Sequence, residues 1–192
     1  MLALPTAPAP QPRRQLLVGT ALVLAAVIAL MGGLLALFLR FRTATIDNGD
    51  TWLPKDVKFS MVAANIMLIS LLPICIFGQW AVYAAKRDDK PHTGLALLLT
   101  GLIGLAFVNA QAFIYATTNL GVAQGTYSYL FYAVTGVSMA LAVIGVAFSA
   151  VTAFRYLGGR TTDRAIVTAH AMYWYAYSAV FTVVWFVVYV TK

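Results

Sequence analysis

Five long stretches free of Asp, Glu, Lys and Arg divide this chain, at residues 15–39, 59–85, 93–118, 127–154 and 165–191. Each exceeds the ~20 residues that an α-helix needs to cross a hydrocarbon core. The third and fourth form one uncharged run, 93–154, and Asn119, Gly121, Gln124 and Gly125 punctuate its middle, where a turn is required. Only 10% of residues are charged and 61% are hydrophobic. A soluble domain carries about 25% charge; a bilayer removes that need, because lipid replaces water around the outer surface. The reading is an all-α integral membrane bundle of five transmembrane helices over residues 15–192. A tail, residues 1–14, precedes it; Pro5, Pro8, Pro10 and Pro12 favour an extended chain there. Arg13–Arg14 weakly resembles a twin-arginine export signal, but the apolar run that follows is too long for a signal segment.

The net charge of +7 is distributed as a topological signal. Arg13, Arg14, Lys86, Arg87, Lys90, Arg155, Arg160 and Arg164 share one side; Arg40, Arg42, Lys55, Lys58 and Lys192 share the other. Lys and Arg concentrate on the cytoplasmic side, so the N-terminus is expected inside and the C-terminus outside. Nothing in this distribution calls for nucleic acid.

The chain has no glutamate, and its six acids, Asp47, Asp50, Asp56, Asp88, Asp89 and Asp163, all fall in loops. Pumps and proton relays place ionisable groups inside the membrane despite a cost of about 2.5–3.5 kcal/mol each. Here the spans hold only His170, which argues against a proton-coupled transporter acting alone. Cys75 is the single cysteine, so no intramolecular disulfide forms. His92 and His170 lie far apart, with no Cys, Asp or Glu at ligand spacing, so no haem, copper or zinc site of the chain's own is expected.

Within the spans, Asn65, Gln79, Asn109, Gln111 and Ser138 read first as interhelical hydrogen-bonding groups. Pro73 is expected to kink the second helix. Gly32–Gly33, Gly101 with Gly104, and Gly136 permit close helix approach. Trp174, Phe181 and Trp185 recur at offsets of seven and four, so they share one stripe of the last helix. Large aromatics at mid-depth point to packing on a protein helix or on bound lipid, either within the chain or outside it. The candidate subunit or lipid contacts are Gln111, Ser138, His170, Trp174, Tyr175, Ser178, Phe181 and Trp185.

Three stretches resemble subunit III of cytochrome c oxidase and related quinol oxidases. Gly104-Leu-Ala-Phe-Val-Asn-Ala-Gln111-Ala-Phe-Ile-Tyr115 is similar to the family's Gly-x-x-Phe-x-x-x-Gln-x-x-Glu-Tyr. The segment from Gly125 through Thr135-Gly136 to Gly145 resembles its Gly-x-Tyr-x-Ser-x-Phe…Thr-Gly-x-His-x-x-His. Tyr173-Trp174-Tyr175-Ala-Tyr-Ser178 through Tyr189 resembles the closing Tyr-Trp-His-Phe-Val-Asp…Tyr helix. Val18-Gly19-Thr20 and the Trp52-x-Pro54 loop fit in order. The helix count matches the short bacterial form, which lacks the first two of seven helices.

The departures are systematic. Val27 and Ile114 stand where the family has Glu, Ser138 and Leu141 where it has His, and Tyr175 and Ser178 where it has His and Asp. Roles in lipid binding and proton uptake tied to those residues do not carry over. The resemblance therefore implies a non-catalytic structural subunit of a haem–copper terminal oxidase in a bacterial cytoplasmic (inner) membrane. Its partners would be oxidase subunits I and II and phospholipids, with haem and copper in those subunits. The alternatives are an accessory subunit of another membrane complex, or an independent channel or transporter.

Overall fold

The computed structural model describes residues 15–54, 57–159 and 164–191. Those residues form α1 (Gln15–Asp47), α2 (Met61–Lys86), α3 (Lys90–Thr117), α4 (Thr126–Leu157) and α5 (Arg164–Trp185), which ends in a π-helical turn, Phe186–Val190. Among them there is no strand. All five helices are long and apolar enough to cross a membrane. The Pro-rich tail, Lys55, Asp56, Arg160, Asp163 and Lys192 lie outside the described residues.

The helix ends follow local chemistry. Ser60 caps α2 by accepting from the Ala63 N–H, and Asp89 caps α3 by accepting from the His92 N–H at 3.2 Å. The His92 ring also meets Asp89 at 2.7 Å. His92, bonding through ring and backbone, holds the Asp89 carboxyl below its ordinary 3.8. The depression ties this cap to pH: its contribution is present above the unfolded value and lost as pH falls through the lower folded one. The α2–α3 turn is tight because Asp88 adopts a left-handed conformation, φ 58°, which Asp tolerates better than most residues. The Asp88 carboxylate then accepts two bonds from Arg164, at 2.7 and 2.6 Å, tying the start of α5 to this turn. The α3–α4 turn falls where Asn119 to Gly125 predict it. Gln124 accepts from the Gly121 N–H, Ser128 and Tyr132 donate to the carbonyls of Gly121 and Leu120, and Gly125 opens α4 at φ 120°.

One boundary differs from the sequence reading. α1 continues to Asp47, past Arg40 and Arg42. Charge ends a membrane span but not a helix, whose backbone bonds persist in water. α2 runs unbroken from Met61 to Lys86 through Pro73.

α5 is the central stave: its backbone packs on α1, α2 and α4, and its side chains reach α3. α1 is the most peripheral helix, with only Leu24, Met31, Leu35 and Phe38 buried. The glycines sort accordingly. A Cβ at Gly32 or Gly33 would meet nothing within 4 Å, so no helix of this chain approaches closely there. At Gly136 the nearest atom is the Tyr115 hydroxyl at 3.9 Å, a loose contact. Gly101 lies against Ser149 at 3.5 Å and Gly104 is tighter still.

Candidate functional site

The middle of the bundle is organised by one indole ring. Trp174, fully buried on α5, projects between α3 and α4. A Cβ at Gly104 would lie 2.9 Å from Trp174 Cη2, and one at Gly145 2.8 Å from Trp174 Cζ2. Both positions are therefore restricted to glycine while the ring is in place. The ring nitrogen, a donor only, faces His170 Nε2 at 3.1 Å and Ser149 Oγ at 3.2 Å. Ser149 Oγ and His170 Nε2 are themselves 2.7 Å apart, and Ser149 also donates to the Gly145 carbonyl at 3.0 Å. The edge of Phe148 closes over the imidazole, with ring centroids 5.6 Å apart.

Further bonds continue along α5. Tyr173 donates to the Leu141 carbonyl at 2.5 Å, Tyr177 meets Ser138 Oγ at 3.2 Å, and Tyr189 donates to Gln111 Oε1 at 3.2 Å. The Phe181 ring stands edge-on to Phe107, with centroids 4.7 Å apart. Polar groups and rings thus alternate down the inner face of one helix. A membrane interior, where lipid is as apolar as Leu, is held together by such close packing and hydrogen bonding.

The candidate contact residues divide by burial. Gln111, Ser138, His170, Trp174 and Phe181 are at most 2% exposed. They pack inside the chain, because α3 and α4 enclose the very stripe that an isolated α5 would present outward. Trp185 and Ser178 are half-buried, and Tyr175 is 37% exposed. Asn65 and Asn109 lie exposed, whereas Gln79 does cross between helices.

Two polar pairs join α2 to α5. Tyr175 donates to Gln79 Oε1 at 2.8 Å, and Cys75 Sγ lies 3.3 Å from Ser178 Oγ. Tyr175 and Ser178 are the positions where the resemblance sets His and Asp; here they fasten α5 to α2 with neutral bonds. The other neutralised positions are Ile114, Ser138 and Leu141, all buried, and Val27, half-buried. Sequence reasoning missed Ser149 and the packing role of Gly145. The signal was their spacing of four, which sets a small residue and a hydroxyl on one stripe of α4.

Among the described residues, no three His, Cys, Asp or Glu side chains gather where they could hold a metal ion. His92 is exposed at the start of α3, and His170 is enclosed by α4 and α5.

Comparison with known proteins converges on one family. The family model described as Cytochrome c oxidase subunit III matches residues 11–192. Cytochrome c oxidase subunit 3 of Rattus norvegicus is 28% identical over 153 residues, covering 77% of this chain and 56% of the relative. That of Schizophyllum commune is 26% identical over 174 residues, covering 87% and 64%. The probable cytochrome c oxidase subunit 3 of Rickettsia felis is 29% identical over 161 residues, covering 78% and 58%. The chain thus spans between 56% and 64% of the length of these relatives. With all five spans inside the matched region, the chain belongs to the cytochrome c oxidase subunit III family.

Proposed function

We propose that this chain is a non-catalytic, structural subunit of a haem–copper respiratory terminal oxidase. In that assembly it packs on subunits I and II, which carry haem and copper and reduce O2 while pumping protons. The match of the family model to residues 11–192 carries this reading. The neutral interior supports the structural role, since side chains that exchange protons at neutral pH are nearly absent from the spans. Purification in mild detergent is the test. The expected result is co-purification with a haem-bearing subunit and its visible spectrum. Isolation of the chain alone, or with partners lacking haem, would favour an accessory subunit of another complex.

The proposed membrane is a bacterial cytoplasmic membrane, with the N-terminus inside and the C-terminus outside. The described basic residues support this orientation: Lys86, Arg87, Lys90, Arg155 and Arg164 flank one end of the bundle. A periplasmic reporter fused after Lys192 is expected to be active. A fusion active only in the cytoplasm would reverse the topology. Phospholipid and subunit contacts are assigned to the exposed seam of Tyr175, to Ser178 and to Trp185, because these side chains reach the surface.

A further inference from the structure

The buried polar network around His170 has loose ends, on one stripe of α4 and on the α5 helix it faces. On α4, Ser149, Thr152 and Tyr156 recur at offsets of three and four, which sets them on one stripe about 10 Å long. Ser149 bonds His170 Nε2 at 2.7 Å, so this stripe faces α5 at that level. Tyr156 packs in a cluster with Ile166, Val167 and Ala171, the residues that bracket His170 along α5. Thr152, Tyr156 and His170 are all 0% exposed. Yet Thr152 Oγ1, Tyr156 Oη and His170 Nδ1 have no hydrogen-bond partner among the described residues.

Thr152 is the informative member. Other helical threonines of this chain, among them Thr20, Thr93, Thr100, Thr135 and Thr182, donate to the carbonyl four residues back. That local bond satisfies a hydroxyl in an apolar setting at no cost in packing. Thr152 forgoes it, which leaves its hydroxyl for another acceptor. For His170 the choice of tautomer does not help. If Nδ1 carries the proton it is a donor without an acceptor; if Nε2 does, Nδ1 is a bare lone pair. Each such group is costly to leave unpaired in a low-dielectric interior. Buried waters, which make two to four bonds each, are the usual remedy for grouped unpaired polar atoms.

We propose that the α4–α5 seam, at the end of the bundle near the Asp88–Arg164 pair, holds bound water that bridges Thr152 Oγ1, Tyr156 Oη and His170 Nδ1. This site does not rest on the oxidase assignment. The water fixes the imidazole from one side while Ser149 and Trp174 fix it from the other. The network closes at Trp174, whose N–H donates and never accepts. A proton entering by way of Tyr156 therefore has no onward acceptor at the indole, and the site is a local anchor rather than a path across the membrane.

The test uses the full chain, purified by itself in mild detergent and labelled with 15N at histidine. With two histidines in the sequence, one exposed and one buried, the ring signals separate cleanly. A water-edited spectrum of the unmutated protein is expected to show transfer from water to the His170 ring. Thr152→Val and Tyr156→Phe are each expected to shift the His170 signals and leave those of His92 in place. Each should also raise the unfolded fraction about tenfold at a fixed denaturant level, whereas Thr152→Ser should not. Absence of any water transfer to His170 in the unmutated protein overturns the proposal. So does a Thr152→Val variant at least as stable as the parent, because deleting a truly unpartnered hydroxyl relieves a penalty.

Discussion

Trp174→Ala is expected to destabilise the bundle by about 3 kcal/mol, near the low end of the range for truncating a buried aromatic. The low end applies because of the solvent. In a soluble core the loss combines a transfer term with a cavity term. In a bilayer the alternative environment is already apolar, so the transfer term shrinks and the cavity dominates. The cavity here is poorly able to collapse, since α3 and α4 meet the ring through Gly104 and Gly145, which have no side chains to move inward. Gly145→Ala tests the same contact from the other side. Its Cβ would lie 2.8 Å from Trp174 Cζ2 and 2.9 Å from Tyr173 Cε1, both parts of rigid rings. Such overpacking costs about 1–3 kcal/mol. The two effects should not add: the alanine at 145 is expected to cost clearly less once Trp174 is gone. Denaturant titration of the two single variants and the double variant checks this, and simple additivity would show that the ring and the glycine are not in contact.

The fold was legible because lipid imposes a coarse rule. A span must be long, apolar and helical, so five such runs specify five helices with little else needed. The α3–α4 turn could be placed because Asn119, Gly121, Gln124 and Gly125 cluster at the middle of an uncharged run too long for one span. The faces of the helices were harder to read. In water, polarity marks the outer face; in lipid both faces are apolar, and the exposed Leu22, Ile69 and Leu102 look like the buried Leu24, Met67 and Leu97. The aromatic stripe on α5 therefore pointed equally well to a partner or to the chain's own core. The glycines failed for the same reason. Gly32–Gly33 and Gly104 have the same composition signal, and only the tertiary arrangement makes one an exposed pair and the other a socket for Trp174.

Loss of the family's ionisable residues acquires a physical account from these placements. Ile114 is 0% exposed and Leu141 is buried at the α4–α5 seam. A carboxylate or imidazolium at either position would need its own partner to offset desolvation. The apolar side chains found there pack without one. At Tyr175 and Ser178, nearer the surface, hydroxyls keep a helix-to-helix bond while dropping the charge. The helical frame can thus persist when the titratable groups have gone.

Phe181 and Trp185, one turn apart on α5, are expected to respond oppositely to truncation. Phe181 is 1% exposed, with its ring against Phe107 and stacked near Tyr177. Phe181→Ala opens a cavity at the centre of the bundle and should cost about 3 kcal/mol, so the level of folded chain in the membrane falls whether or not partners are present. Trp185 is half-buried, with exposed Val183 and Phe186 beside it, just before the helix widens into its π-turn. Its ring is large enough to anchor a neighbouring helix or lipid by dispersion contact, the main source of cohesion in hydrocarbon. Trp185→Ala should therefore leave membrane levels near those of the parent while reducing the chain recovered with the purified complex. Immunodetection of the chain in membranes and in the purified assembly separates the two effects. If Trp185→Ala remains fully assembled with unchanged lipid content, Trp185 serves the fold alone, and the interface must be sought elsewhere, with the α2–α5 seam at Tyr175 and Gln79 as the next place to cut.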